Sequence, residues 1–335
     1  GSFLLLLIVG IFVFLGYKKY QSNENMKLLG IEAPILKING YTFRDLNKNG
    51  ALDTYEDSNA EIEDRVSDLI SQMTLEEKAG TMFINMISMT NEGEPVERPV
   101  LDNMTYFFLS LVLPTNSEMI ARKKLNSFNT INAYSAKTMA KYNNTIQKMA
   151  ERTRLGIPIT IATDPRHASE NNPGAAVYTP AFSTWPSSLG LAATRDTALV
   201  KEFAEIARQE YSAVGIRLAL HPMADLATEP RWGRINGTFG EDAHLAAQMT
   251  KAYVIGFQGD SLNSKSVACM TKHFSGGGPQ KDGEDAHFPY GKEQVYPGDN
   301  FDYHVRPFIE GAFAANTAQI MPYYGIPVDQ TRENV

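Results

Sequence analysis

The sequence has 335 residues, of which 43% are hydrophobic and 21% charged, an ordinary balance for a globular protein. Its net charge of −7 and isoelectric point near 5.5 argue against a nucleic-acid partner, which would leave a basic footprint. Cys269 is the only cysteine, so the chain can form neither an internal disulfide nor a cysteine-based zinc cluster.

The chain opens with an apolar stretch. Residues 3–15 carry no charge, and Tyr-Lys-Lys-Tyr follows at 17–20. The stretch is shorter than the roughly 20 residues that a spanning helix needs, and it is typical of a signal peptide core or a short signal anchor. We predict that residues 1–25 direct export, to a periplasmic, secreted or membrane-anchored location, and that any membrane contact is made through them alone.

Residues 26–60 form a predicted N-terminal extension that contains a calcium-type loop at 45–56. The loop has the oxygen spacing of an EF-hand, with Gly50 at its sharp turn. The predicted ligands are Asp45, Asn47, Asn49, the Ala51 carbonyl, Asp53 and Glu56. An Asn/Asp/Gly-rich turn without a metal is the alternative. With no second loop of this kind, the pattern favours a structural Ca²⁺ over a sensor.

From residue 61 onwards, helical and strand patterns alternate. Apolar residues at three- and four-residue steps predict helices from Ile62, after the Thr74 capping box, and at 133–154, 196–214, 245–257 and 304–315. Short apolar runs predict strands at 81–87, 106–112, 158–163, 216–220, 267–270 and 319–321. This alternation predicts an α/β fold of (β/α)8 TIM-barrel type. Six units are two short of a closed barrel, so we predict that residues 61–335 form an incomplete one.

Polar clusters follow several of the predicted strands. Asp164 and Arg166 follow the third strand, and a loop with two Arg and one Trp, residues 229–242, follows the fourth. Lys272 and His273 follow the fifth and precede three glycines. In parallel barrels such positions build the active site, although ion pairs that only brace the loops are the alternative. Arg donors beside an aromatic ring suit a hydroxyl-rich ligand.

Four ordered motifs resemble those of glycoside hydrolase family 3. They are RVSDLISQMTLEEKAG at 65–80, RLGIP at 154–158, PRWGR with FGED at 230–242, and KHF at 272–274. The resemblance covers most of the chain from about residue 60. It implies an exo-acting, retaining β-glycosidase that binds the terminal sugar in the mouth of its barrel, and it implies an oligosaccharide or β-glycoside as substrate.

The resemblance also implies which residues contact the sugar. They are Asp164, Arg231, Lys272, His273 and, from the sixth strand, Tyr323 or its neighbour Tyr324. The sequence departs from the family pattern where Ala168 replaces the glycine after the Asp-x-x-His motif. It also has no Ser/Thr-Asp-Trp motif after Lys272, so we expect the nucleophile to lie beyond Val335, in a missing C-terminal part of the same gene product. We therefore predict that this chain alone is inactive.

Asp285 and His287 offer a local alternative for the acid/base, because some family members use an Asp-His dyad in this region. Physically, the carboxylate orients the imidazole and tunes its pKa. Two other functions stay open: a non-catalytic carbohydrate- or calcium-binding module, and a metal-dependent barrel hydrolase using His167, His221 and His273. The sequence does not distinguish a β-glucoside from a β-xyloside substrate.

Overall fold

The computed structural model describes residues 2–99, 107–108, 111–172 and 175–330, and for residues 2–8 the backbone alone. The chain divides into two compact units, Gly1–Ile161 and Ala162–Val335. The boundary falls inside a strand, Thr160–Thr163. The predicted domain limits at residues 25 and 60 stay predictions.

The first unit combines helices with a hairpin and a pair of parallel strands. Its helices are α1 (Ser2–Met26), α2 (Ile62–Gln72), α3 (Leu75–Gly80) and α4 (Ala136–Glu151). Its strands are β1 (Ile35–Ile38), β2 (Tyr41–Arg44), β3 (Asn85–Ile87) and β4 (Ser127–Thr130). β1 and β2 pair antiparallel, whereas β3 and β4 pair parallel. Within the described residues, no helix combines the length and the apolar character needed to cross a bilayer.

Local signals place the helices of this unit. Thr74 accepts a hydrogen bond from the Glu77 amide while the Glu77 side chain returns to the Thr74 amide, so the predicted capping box is confirmed. Ser135 caps α4, and the apolar face of that helix is buried through residues such as Met139 and Ile146.

The predicted second strand is wrong. Of residues 106–112, those that the structure describes, 107–108 and 111–112, are helical, and the others lie outside the described residues. The partner of β3 is instead β4, whose sequence Ser-Phe-Asn-Thr contains a single apolar residue. A short apolar run fits a helix as well as a strand, and a buried polar strand has no apolar signature.

The second unit is a parallel α/β arrangement. Its strands are β5 (Thr160–Thr163), β6 (Leu218–Ala219), β7 (Ala268–Phe274), β8 (Glu293–Gln294), β9 (Gln319–Pro322) and β10 (Ile326–Pro327). Its helices are α5 (Ser188–Ala193), α6 (Thr197–Val214), α7 (Ala243–Gln258) and α8 (Phe301–Arg306), which continues as a π turn and a 3-10 turn to Ala315. β5, β6, β7 and β9 pair parallel in that order, and β8 pairs parallel with β10.

Parallel strands need a long crossover connection between them, and helices usually provide it. α6 begins at the Asp196 cap and ends at Gly215, whose φ of 89° is the left-handed conformation that glycine accepts without strain. Ala162, Leu218 and Leu220 form a buried cluster on the sheet. The α/β class with a parallel sheet is confirmed, while the number of barrel units stays a prediction.

Candidate active site

A buried ion pair lies where two parallel strands end. Asp164 follows β5 directly, and Lys272 belongs to β7, which runs four residues further than the predicted strand. The Lys272 Nζ lies 2.7 Å from the Asp164 Oδ1, and both side chains are 4% exposed. An ammonium carries three donors and a carboxylate several acceptor positions, so the pair has the chemistry to bind sugar hydroxyls.

A second buried pair joins His273 to Asp225. The His273 Nδ1 lies 2.9 Å from the Asp225 Oδ2, and the backbone amides of His273 and Gly277 also donate to that carboxylate. Burial alone would raise the pKa of Asp225, but His273 and the two amides bring it below its usual value. Burial lowers the pKa of His273. We therefore assign a neutral His273 that donates from Nδ1 to an ionised Asp225.

The two arginines of the Pro-Arg-Trp-Gly-Arg motif have different environments. Arg234 is half-buried, and its Nη1 lies 3.3 Å from the His273 Nε2, the nitrogen that accepts in this tautomer. Arg231, the predicted sugar ligand, is instead 62% exposed and contacts Glu229 at 2.9 Å and Asp282 at 3.8 Å. The structure therefore brings Arg234, and not Arg231, to His273. Trp232 is fully buried between them.

Sequence reasoning missed Asp225 and Arg234. The signal for Asp225 was weak, because the residue lies in the loop after β6, six positions beyond Ala219, whereas Asp164 follows β5 directly. The signal for Arg234 was ambiguous, because both arginines sit in one motif and only the inward packing of Trp232 separates them.

Tyr323 extends the site from the end of β9. Its ring lies 4.8 Å from the His273 ring, and its amide donates to the Phe274 carbonyl at 2.8 Å. Burial raises the pKa of the Tyr323 hydroxyl, which stays protonated. The Tyr324 ring follows at 5.8 Å and lies 4.8 Å from that of His287. A row of rings thus connects His273 to the predicted dyad.

The dyad itself is formed. The His287 Nδ1 and backbone amide both hydrogen-bond to the Asp285 carboxylate, and the imidazole is half exposed. Burial alone would raise the pKa of Asp285, but the donations from His287 bring it below its usual value, with Arg234 contributing at longer range. The imidazole is oriented by a carboxylate and open to solvent, which suits proton transfer.

The three histidines of the metal-hydrolase hypothesis do not converge. His167 contacts Glu210, and His273 contacts Asp225. His221 lies between the hydroxyls of Tyr211 and Tyr253. In the described part of the chain, no group of three or more His, Cys, Asp or Glu side chains is placed to hold a metal ion. The geometry therefore gives this hypothesis no support.

The calcium-type loop of the first unit is ordered by its own amide donors. Asp45 accepts from the Asn49 and Gly50 amides, and Glu56 accepts from Leu46, Asn47 and Asp53. Asp53 accepts from the side-chain amides of Asn47 and Asn49. Oxygen ligands suited to Ca²⁺ are present, and in this structure they accept hydrogen bonds from these N–H groups. The calcium site stays a prediction.

The family model described as Glycosyl hydrolase family 3 N terminal domain matches residues 109–327, about two thirds of the chain. The chain belongs to glycosyl hydrolase family 3. Beta-glucosidase C of Emericella nidulans is 48% identical over 293 residues, which are 87% of this chain and 45% of that protein. The periplasmic beta-glucosidase/beta-xylosidase of Dickeya chrysanthemi is 46% identical over 88% of this chain and 44% of its own length. The chain thus spans less than half the length of these relatives.

Solved structures of other glycosidases share the fold. A β-glucosidase from Erythrobacter marinus superposes with a TM-score of 0.62 at 22% identity, covering 82% of this chain and 33% of that one. An exo-1,3/1,4-beta-glucanase from Pseudoalteromonas gives 0.61 at 21% identity, covering 84% and 32%. At such identities the likeness concerns the fold alone.

Proposed function

We propose that this chain binds the terminal sugar of a β-glycoside, and that the longer polypeptide to which it belongs is an exo-acting retaining β-glycosidase. The observation that carries the proposal is the buried Asp164–Lys272 pair beside the His273–Asp225 pair, both at carboxyl ends of parallel strands. A β-glucoside is the proposed substrate and a β-xyloside the alternative, since the relatives named above include both activities.

We propose Arg234 as the sugar-binding arginine in preference to Arg231. Arg234 contacts His273, whereas Arg231 forms two hydrogen bonds with Glu229 and holds the pKa of that carboxyl at about 2. Beyond its contact with His273, the Arg234 guanidinium has further N–H donors that can bind sugar hydroxyls.

The arginine assignment is tested by calorimetric titration with glucose. Arg234→Met should weaken glucose binding by roughly tenfold or more, the effect of losing a charge-assisted hydrogen bond. Arg231→Met, in the same motif, is the matched control and should leave the affinity within about twofold. Equal effects of the two variants would refute the assignment. Absence of glucose binding by the unmodified chain would refute the proposed function.

The attacking carboxylate of the retaining mechanism is proposed to come from outside this sequence. Retaining glycosidases with two carboxyl groups hold them about 5–5.5 Å apart. Around this site Asp164 is paired with Lys272, Asp225 with His273 and Asp285 with His287. The longer polypeptide should hydrolyse aryl β-glucosides while residues 1–335 do not. Turnover by residues 1–335 would contradict this division.

His287 is the proposed acid/base within this chain, oriented by Asp285. In the longer polypeptide, His287→Gln should lower kcat most for poor leaving groups, because these need protonation. The limb of the pH–rate profile that reports the ionisation of the acid/base should be absent in this variant. An unchanged pH profile would place the acid/base elsewhere.

A non-catalytic carbohydrate-binding module is the second candidate function. It is favoured if sugar binds tightly but the longer polypeptide cleaves nothing.

Export and calcium binding complete the proposal. The apolar composition of α1 and the periplasmic location named for the Dickeya chrysanthemi relative support export.

If residues 45–56 bind Ca²⁺, the melting temperature of the chain should be higher in a buffer with Ca²⁺ than in one with a chelator. The Glu56→Gln variant should lose the increase, because position 12 of such loops supplies both carboxylate oxygens. Equal melting temperatures with and without Ca²⁺ would remove the site.

A further inference from the structure

A cavity separate from the candidate active site lies within the first unit. Its volume is about 370 Å³, within the roughly 300–1,000 Å³ of sites that bind small molecules. It is lined by residues that follow α1, by α3, by the π turn Glu118–Arg122, by the end of α4 and by the residues that lead into β4 and β5. Ile159 directly precedes β5, at the end of the strand opposite Asp164, so the cavity is not part of the sugar site.

The floor of the cavity is apolar. Its buried side chains include Ile120, Leu125, Leu155 and Ile159, each at most 9% exposed. Leu28, which is 56% exposed, extends the apolar wall towards solvent. Water gains little from such walls, so an apolar group that displaces it binds favourably.

Three cations line the rim of the cavity: Arg122, Lys124 and Arg154. Arg154 already has a counter-ion, because its Nε lies 3.0 Å from the Glu77 Oε1. Arg122 donates to the neutral side-chain oxygen of Asn25 at 2.7 Å. In the described part of the chain, neither Arg122 nor Lys124 forms an ion pair within 4.0 Å. The rim therefore carries two positive charges without a direct counter-ion, on a chain whose net charge is −7.

The backbone holds Lys124 in place at this rim. Its φ of 57° lies in the left-handed region, which a lysine keeps only where its surroundings fix the chain. Gly80, the last residue of α3, packs against it, and a Cβ there would lie 2.2 Å from the Lys124 carbonyl oxygen. The Lys124 side chain is half-buried and acts on the carboxylates Glu76 and Glu77 only at longer range. A cation fixed beside an apolar floor is preorganised for a ligand with an anionic group.

We propose that this cavity binds an amphipathic anion, a molecule with an apolar chain of medium length and one carboxylate. The chain packs on the floor, and the two carboxylate oxygens accept hydrogen bonds from Lys124 and Arg122. A sugar fits less well, because the floor offers no partners for its hydroxyls. A small inorganic anion would leave the floor in contact with water. The site is independent of the proposed glycosidase activity.

Calorimetric titration of residues 1–335 with butyrate, hexanoate and octanoate tests the proposal. The affinity should rise roughly four- to fifteenfold for each pair of CH₂ groups added, the range from partial to full burial. Octan-1-ol has the same chain without the charge and should bind roughly three- to tenfold more weakly than octanoate.

Two variants locate the site. Lys124→Met should reduce the preference for octanoate over octan-1-ol to less than about twofold. Lys123→Met is the matched control, because this neighbouring lysine pairs with Glu118 at 3.2 Å and does not line the cavity. Ala121→Phe places a ring in the cavity and should weaken octanoate binding by about tenfold or more. Melting temperatures show which variants are folded, and if Ala121→Phe is not, the two lysine variants decide.

Each other outcome overturns the proposal. Octanoate that binds no tighter than butyrate excludes the apolar floor, and octanoate that binds no tighter than octan-1-ol excludes the cationic rim. Equal losses in Lys124→Met and Lys123→Met indicate attraction to the surface in general. Unchanged octanoate affinity in a folded Ala121→Phe places the ligand elsewhere. Absence of octanoate binding by the longer polypeptide means that another part of that polypeptide fills the cavity.

Discussion

Removing the carboxylate of the Asp164–Lys272 pair should cost more stability than any surface ion pair of this chain. Asp164→Asn keeps the shape of the side chain and leaves the Lys272 ammonium, 4% exposed, without its carboxylate at 2.7 Å. In the pair, the attraction between the two charges offsets the free-energy cost of removing them from water. In Asp164→Asn that cost remains for the Lys272 ammonium, with no opposite charge to offset it. Breaking a buried pair in this way costs about 3–5 kcal/mol.

The double variant separates the pair from its parts. Lys272→Met fills a similar volume without charge, so Asp164→Asn/Lys272→Met should cost less than the two single changes together. The difference measures the coupling, which we expect to exceed about 1 kcal/mol for groups in direct contact.

The assay is urea unfolding followed by far-UV circular dichroism, with Arg306→Met as the matched control. Arg306 pairs with Glu310 at 2.7 Å, but both side chains are more than 40% exposed. That variant should change the free energy of unfolding by about 0–1 kcal/mol. If Asp164→Asn costs no more than Arg306→Met, the pair is hydrated in solution and the argument from burial fails.

Three further changes test other parts of the structure. Burial lowers the pKa of His304 from 6.5 to about 4, so the unfolded state binds the proton more tightly and stability should fall as pH drops from 6.5 to 4, by about 3 kcal/mol. His304→Gln should flatten that urea-denaturation profile. Gly278→Ala should destabilise the chain by over about 2 kcal/mol, because the new Cβ would lie 1.7 Å from the Leu226 carbonyl oxygen, whereas Gly233→Ala meets nothing within 4 Å. Lys48→Met should lower the melting temperature of the first unit, because the ammonium donates to three backbone carbonyls, at a cost of roughly 1–3 kcal/mol. A melting temperature unchanged by Lys48→Met would mean that water replaces this ammonium freely.

Elements with local signals could be predicted from the sequence. α3 begins at its Thr74 capping box, and α6 runs from the Asp196 cap to Gly215. Both ends are fixed by side chains within a few residues, so no knowledge of the tertiary structure is needed. β4 shows the opposite case, because its residues form a strand by pairing with distant segments such as β3 and not through a local signal. Periodicity cannot report a pairing between residues 43 positions apart, such as Asn85 and Phe128.

The site was predicted at the level of strand ends and not of individual contacts. Asp164, Lys272 and His273 follow from the rule that polar groups cluster at carboxyl ends of parallel strands. Which arginine turns inward depends on Trp232, whose ring is buried against the loop that carries Tyr323. That choice is made by tertiary packing, so the motif alone could not separate Arg234 from Arg231.

The pairing of charges explains why this site suits binding better than attack. A nucleophilic carboxylate needs an oxygen that can approach a sugar carbon, yet Asp164 and Asp225 are buried and directed at Lys272 and His273. Each pair holds donors and acceptors in fixed directions, which favours hydroxyl recognition. The Asp164–Lys272 pair has no net charge, whereas the Asp225–His273 pair, with its neutral imidazole, carries one negative charge. His287 differs, because its ring is half exposed and only one nitrogen is held by Asp285. Proton exchange with a leaving group is therefore the one chemical step that these residues can perform without breaking a buried ion pair.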